Sequence, residues 1–443
     1  METISPLDGR YREKTRELTK YFSEEAQLKL KTEIEIDYFL ALAEELKLSL
    51  SKEEIRLVKQ IKETVTPDYI QGLEKKTRHD IKAIEMYIRE SFDMQGIPQY
   101  KEYIHFGLTS QDINSIATSR TIREFDNKFL VKEFHALKKE MIKFSERCDI
   151  VIPARTHGQA AVPTVLKKEI EVFIYRLQDQ FEKLFVHTFK AKFGGAVGNM
   201  NAHNLAYPDH DWNKFAEGFC NSYGLFRSEL TTQVDNNDWL AEYFATIVRI
   251  NNILINFSRD IWMYTSYGYF KKSVRSEEVG SSTMPQKINP IEFENAEGNL
   301  ELANAILNFM ESKLQVSRLQ RDLSDSTVMR NLGVPFGHVI LATKNIIDGL
   351  KKLQVNEDNI QKDIEKYPEL VAEGIQTLLR KENVKDAYNL IKDVTRGATL
   401  TAEKLKNTLE NLNISDTIKE KILSLKASDY IGKTINVKKN LRS

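Results

Sequence analysis

The sequence predicts an all-α protein in three domains, built around a central bundle of long helices, and three observations predict it. In 443 residues there are 19 glycines and 10 prolines, while Glu, Lys, Leu and Ile abound, a balance that favours long helices over sheets. The middle of the chain carries long apolar series with steps of three and four. The stretches that break this periodicity gather Ser, Thr, Asn, Asp, His and Arg at presumed helix boundaries.

Residues 1 to 108 read as an N-terminal helical domain, its helices separated by the turn signals Thr66-Pro67-Asp68 and Gly96-Ile97-Pro98. Residues 109 to 350 hold the bundle. Phe134, Leu137, Met141, Phe144 and Cys148 form one stripe, and Leu166, Ile170, Phe173, Leu177, Phe181 and Leu184 a second. Leu240, Phe244, Ile247, Ile250, Leu254, Phe257 and Ile261 form a third, and Leu300, Ala303, Leu307, Met310 and Leu314 a fourth. Such stripes bury one face of a long helix against neighbours at shallow crossing angles. Residues 351 to 443 read as a small C-terminal domain of short charged helices such as KDAYNLIKDV. A chain of this length exceeds one ordinary core, which agrees with several domains.

Lys plus Arg equals Asp plus Glu at 64 each, so no global basic field collects nucleic acid. Cys148 and Cys220 show neither a disulfide framework nor metal-ligand spacing and are expected as buried free thiols. The opening METISPLDGRYREK lacks an apolar signal core. The most apolar region, 247 to 270, carries Arg249, Arg259 and Asp260, so no membrane span is expected and the protein is placed in the cytoplasm.

The chemistry is expected where helical periodicity fails. Helix ends present unpaired N–H groups and a dipole that favours anions, so polar clusters there point to an anionic small molecule. In GSSTMPQKINP, Gly280 to Pro290, no G-x-S-x-G elbow and no adjacent histidine supports a serine nucleophile, whereas Lys287 and the glycine-led loop could stabilise an alkoxide. His157, in ARTHGQ where loop and helix are expected to meet, is the natural proton donor; His79 and His105 are weaker candidates. Ser326 and Thr327, followed by Arg330, read as a hydroxyl pair at a helix start beside an arginine, a cradle for an oxyanion or phosphate. Arg10 and Arg321 are the other arginines singled out, and surface charge is the bland reading for all three.

Taken together, these stretches resemble the fumarase/aspartase superfamily, whose hallmark GSSxMPxKxNP is matched from Gly280 to Pro290. The likeness runs over essentially the whole chain. SPLDGRY, HFGLTSQDIN, RTHGQ, TTQVD and QRDLSDSTVMRNLG make it similar to the bacterial-type adenylosuccinate lyases within that superfamily. One departure is Gln286, where many of these have histidine; MPQK is familiar from argininosuccinate lyases, the nearest alternative.

The resemblance implies a three-domain fold whose bundle assembles four chains into a homotetramer, with each active site drawn from three subunits. It implies β-elimination of fumarate from adenylosuccinate, giving AMP, and from succinylaminoimidazole carboxamide ribotide. Ser281 would be the base and His157 the acid, with Lys287 and Asn289 beside the fumarate carboxylates. Arg10, Tyr11, Arg78, His79, Asp80, His105, Thr109, Ser110, Gln233, Ser282, Asn295, Arg321, Ser326, Thr327 and Arg330 would bind substrate. No metal or organic cofactor is implied. A scaffold protein that has lost the chemistry would be expected to lack Ser281, Lys287 or His157, and all three are present. A nucleic-acid binder would need a basic stripe that the interleaved charges do not form.

Overall fold

A computed structural model describes residues 3–272, 289–395 and 400–433. Ser281, Ser282, Gln286 and Lys287 lie outside the described residues. The elements that position the site are, in chain order, helices α1 (Glu24–Glu45), α2 (Asp80–Met94), α3 (Ser110–Phe125) and α4 (Val131–Glu146), then strands β1 (Val151–Thr156) and β2 (Gln159–Val165). Helix α5 (Leu166–Phe185), strands β3 (Lys190–Lys192) and β4 (Phe226–Ser228), helix α6 (Asp238–Ser266) and strand β5 (Phe270–Lys272) follow. Helices α7 (Ile291–Leu314), α8 (Ser324–Met329) and α9 (Gly333–Lys352) precede strand β6 (Leu353–Val355). Among the described residues the strands form only two-stranded pieces: β1–β2 and β5–β6 antiparallel, β3–β4 parallel. The all-α expectation holds.

The chain divides into two compact units. The first comprises Met1–Phe134, Gln180–Asn252 and Gly298–Lys344. Its core is aromatic: the Phe125 ring lies 5.0 Å from both Phe22 and Phe336, and Phe134 stacks on Phe181 at 5.2 Å. The predicted stripe residues Leu240, Phe244, Ile247, Ile250, Leu300, Ala303, Leu307 and Met310 are all buried. Helix α1 starts cleanly because Ser23 accepts the Ala26 N–H at 3.1 Å, a side-chain cap for an otherwise unpaired donor.

The second unit comprises His135–Asp179, Ile253–Glu297 and Asn345–Ser443. Here Leu137, Met141, Phe144, Cys148, Leu166, Ile170, Phe173, Leu177, Leu254, Phe257 and Ile261 are buried as the periodicity predicts. Phe257 touches Phe173 at 5.4 Å and Phe293 at 6.5 Å. Toward the C-terminus, Val371, Ile375, Leu379, Leu405, Leu409 and Ile422 form a separate apolar cluster. Both cysteines are buried and free, and burial pushes each thiol up to about 12. No helix among the described residues is long and apolar enough to cross a membrane.

Candidate active site

In the first unit a polar network links five of the predicted residues, His79, Ser110, Gln233, Arg321 and Ser326. His79 caps α2: its Nδ1 accepts the Lys82 N–H at 3.2 Å. That ring nitrogen must therefore carry a lone pair, so Nε2 bears the proton and donates to Ser110 Oγ at 3.2 Å. Ser110 opens α3, and the next residue, Gln111, donates to Asp325 Oδ2 on α8 at 3.3 Å. Arg321 then spans two partners, Ser326 Oγ and Gln233 Oε1, each at 3.2 Å. Gln233 in turn donates to the Ala196 carbonyl at 2.9 Å, and Thr232 to that of Gln320 at 2.8 Å.

The sequence expected Arg330 beside the Ser326–Thr327 hydroxyl pair. The structure corrects this: Arg321 reaches Ser326, while Thr327 and Arg330 are exposed. Helix α8 is six residues long: Ser326 lies in its first turn and Arg330 caps its C-terminal end.

Around the network, Asp80 pairs with Lys31 at 2.7 Å. Burial works to raise the Asp80 pKa, but the Lys31 charge and hydrogen bond prevail and hold it below its ordinary value. Arg78 ends the preceding helix in the left-handed region, φ 54°, and is exposed. Arg10 is also exposed, its guanidinium 5.9 Å from the Tyr11 ring.

Beneath Thr109 and Ser110 lies a buried charge knot that the sequence did not reveal. Asp112 and Lys192 are both fully buried and 2.6 Å apart. Asp112 also accepts the N–H groups of Thr109 and Gly194 at 2.8 Å and of Gly195 at 3.2 Å. Lys192 donates further to the Gly195 carbonyl at 2.6 Å. Burial pulls the Lys192 pKa below its ordinary value against the opposing pull of Asp112. The stretch FGGAVG follows strand β3 and is tied to the start of α3 through this pair.

His105 adopts the left-handed region at φ 56° and meets the buried Glu35 at 2.6 Å. Two residues on, Gly107 has φ 69°, and a Cβ there would sit 2.5 Å from His203 Cε1. Only glycine fits such a contact. Tyr38 donates to the Phe106 carbonyl at 2.5 Å, so the 2.9 Å contact between Tyr38 and His203 has His203 Nε2 as donor. Burial lowers the His203 pKa to about 4, which favours the neutral ring.

In the second unit, the sequence expected His157 where a loop meets a helix. It lies instead at the tip of the β1–β2 hairpin, exposed, with φ 53° followed by Gly158 at 75°. Two successive positive φ values are the signature of a tight turn whose twist matches the paired strands. The hairpin is anchored by Arg155, which donates to Asp363 Oδ2 at 2.8 Å and stacks on Tyr267 at 4.4 Å. Tyr269 donates to the same Asp363 oxygen at 2.5 Å.

Asn289 offers its carbonyl to Lys272 at 3.2 Å, and Lys272 pairs with Glu292 at 3.0 Å. Lys352 closes on Glu292 at 2.8 Å, so the entry to α7 is fixed by two cations on one carboxylate. Asn295, one turn further along α7, accepts from Asn345.

Gln111, Asp112, Asp325, Lys192 and Glu35 escaped the sequence reading. Their signal was present: Gln111 and Asp112 lie inside HFGLTSQDIN and Asp325 inside QRDLSDSTVMRNLG, while Lys192 stands between Ala191 and Phe193 and Glu35 between Ile34 and Ile36. Groups of three or more His, Cys, Asp or Glu that could hold a metal are absent among the described residues.

Relatives resolve the family. A family model described as "Lyase" matches residues 9–304, and one described as "Adenylosuccinate lyase C-terminal" matches residues 317–431. Adenylosuccinate lyase from Legionella pneumophila (strain Corby) is 41% identical over 442 residues, covering 98% of this chain and 97% of that one. The Dictyostelium discoideum adenylosuccinate lyase is 43% identical over 453 residues with the same coverage, and that of Escherichia coli (strain K12) 36% identical over 454 residues, covering 100% and 99%. This chain belongs to the adenylosuccinate lyase family. It is an enzyme, a lyase of the fumarase/aspartase superfamily.

Solved structures agree on the fold of this lyase. A fumarate lyase from Mesorhizobium sp. BNC1 superposes with a TM-score of 0.74 at 17% identity, covering 95% of each chain. The β-carboxy-cis,cis-muconate cycloisomerase of Acinetobacter calcoaceticus sp. ADP1 gives 0.72 at 17% identity, covering 94% of this chain and 95% of that one.

Proposed function

We propose that this lyase eliminates fumarate from adenylosuccinate, giving AMP, and from succinylaminoimidazole carboxamide ribotide, giving the unsuccinylated ribotide. Ser281 takes the succinyl Cβ proton and His157 delivers a proton to the departing nitrogen. The C–N bond breaks as the Cα–Cβ double bond of fumarate forms. Charge accumulates on the adjacent carboxylate as an aci-carboxylate, and preorganised donors must meet it there. Lys287 and Asn289 are assigned to that task, with Ser282 and Asn295 nearby in sequence. Arg10, Tyr11, Arg78, His79, Asp80, His105, Thr109, Ser110, Gln233, Arg321, Ser326, Thr327 and Arg330 are assigned to substrate binding. No metal or organic cofactor enters this scheme.

The observation that carries the reading is the single network from His79 through Ser110 to Arg321, Ser326 and Gln233. It joins four separate motifs by side-chain hydrogen bonds, with two arginine N–H groups directed at small polar partners that an anionic ligand could replace. We further assign the chain to the cytoplasm, to domains divided at 108 and 350, and to a homotetramer with shared active sites. Exposed apolar residues on the long helices, among them Trp262, Leu302 and Phe309, support assembly.

The test is direct. Purified protein given adenylosuccinate should release fumarate and AMP in equal amounts, while activity on argininosuccinate alone would replace the substrate assignment. Ser281→Ala should abolish turnover and retain binding, and His157→Ala should lose roughly two to four orders of magnitude in kcat. Mixed tetramers of those two inactive variants should regain partial activity.

A further inference from the structure

Glu35 is fully buried on α1, and its one polar partner among the described residues is His105 Nδ1, at 2.6 Å. Its second oxygen, Oε2, is buried with no partner. A buried carboxylate held by a single neutral hydrogen bond is costly, and a positive partner removes most of that cost. The other acidic groups that face His105 are Glu85 on α2 and Asp112 on α3. Both have cations of their own: Lys82 lies 2.8 Å from Glu85, and Lys192 lies 2.6 Å from Asp112. Glu35 has none but His105.

The imidazole is held so that only one edge is free. Nδ1 is committed to Glu35, the backbone is fixed in the left-handed region at φ 56°, and the side chain keeps 18% of its surface open. The free edge carries Nε2, four residues before Thr109 in the stretch that leads into the polar network. With Nδ1 donating to a carboxylate, a neutral ring would expose a lone pair at Nε2 and repel an anion. A protonated ring exposes an N–H and a positive charge. The protonation state thus sets the polarity of this edge.

We propose that Glu35 is a positioning residue that keeps His105 an imidazolium, and that His105 Nε2–H binds an anionic oxygen of the substrate, a phosphate or a carboxylate. This rests on the reading that His105 faces the substrate. Burial alone would lower the His105 pKa, but the Glu35 charge and hydrogen bond outweigh it and raise the group above its ordinary value. Glu35→Gln keeps the shape and an acceptor for Nδ1 while removing the charge, so burial then governs and the ring becomes neutral at physiological pH.

The experiment pairs two readouts. Histidine ring NMR, with His105 assigned through His105→Gln, should find His105 charged at pH 7 in the wild type and neutral in Glu35→Gln. Dissociation constants for AMP and for fumarate, measured from pH 6 to 8, should stay flat for this contact in the wild type. In Glu35→Gln one of them should weaken about tenfold or more as pH rises, the scale of a lost charge-assisted hydrogen bond, and recover toward pH 6. Loss on AMP assigns the phosphate; loss on fumarate assigns a carboxylate. A purely structural role would shift affinity equally at every pH. A neutral His105 in the wild type overturns the proposal, as does a neutral His105 in Glu35→Gln with unchanged affinity for both ligands. Should Glu35→Gln fail to fold, His105→Gln in the wild-type background must show the same loss on the same ligand, and undiminished affinity there overturns the proposal. The NMR arm needs no turnover, so an inactive preparation on adenylosuccinate would count against the substrate assignment and leave the charge of His105 decided.

Discussion

Replacing Asp112 by alanine should destabilise the first unit more than any other single truncation near the site, and the structure sets the size. Asp112 holds Lys192 at 2.6 Å with both side chains fully buried, and it satisfies the N–H groups of Thr109, Gly194 and Gly195. Breaking a buried ion pair from one side typically costs about 3–5 kcal/mol. The orphaned donor at the start of α3 adds about 1 kcal/mol, as for a lost helix cap. One effect limits the total: burial already lowers the Lys192 pKa, so without its partner the ammonium can shed its proton. About 4 kcal/mol is therefore expected, read as a shifted urea midpoint by far-UV circular dichroism. The decisive comparison is a double-mutant cycle with Lys192→Met. The double variant leaves no unpaired charge and should be less destabilised than the sum of the singles by about 2 kcal/mol or more. Additive losses would show that the two groups do not depend on each other and would refute the reasoning.

Two further outcomes follow from individual groups. Arg321→Lys replaces a fork that reaches Gln233 and Ser326 at once by a single ammonium, so kcat/KM on adenylosuccinate should fall roughly 10- to 100-fold with little change in circular dichroism; near-wild-type kinetics would separate Arg321 from the substrate. Asp126, buried and bonded to Tyr243 at 2.9 Å, has its pKa raised to about 6 by burial. The native state therefore holds a proton that the unfolded chain releases near pH 4, and stability contributed by this group falls as pH rises from about 4 to about 6. Asp126→Asn keeps an acceptor for Tyr243 and should raise stability by up to about 3 kcal/mol at pH 8 with no gain at pH 4, measured as urea midpoints at both.

The apolar stripes were legible because a long helix with one buried face writes its period into the sequence. Leu137, Met141, Phe144, Leu240, Phe244, Ile247, Leu300 and Leu307 are all buried as that period requires. Helix α9 was not legible in the same way. Val339, Ile340, Leu341 and Ala342 are consecutive and all fully buried, so no polar face interrupts the run to mark a period. Gly333, Pro335 and Gly337 at its start further resemble a loop. The β1–β2 hairpin failed for another reason. Its turn is His157-Gly158, not the usual Asn-Gly, and prolines 153 and 163 stand opposite each other across a two-stranded piece where missing ladder bonds cost little.

The polar residues divide along the same physical line. Motif residues such as Ser110, Gln233, Arg321 and Ser326 stand out because they cluster where the apolar period stops, and the structure joins them in one network. Asp112, Lys192 and Glu35 lie one step deeper, inside segments whose neighbours are buried, and a charge in such a segment reads from sequence as a solvated face. Burial reverses that reading. A charge that has lost water must be met by another group, so each such residue fixes the position or the protonation of a partner. Asp112 fixes the backbone at Thr109, Gly194 and Gly195; Glu35 fixes the ring of His105. The polar residues of the network can therefore be read from motifs, whereas the buried charges that hold neighbouring groups in place become visible only when the burial of each charge is known.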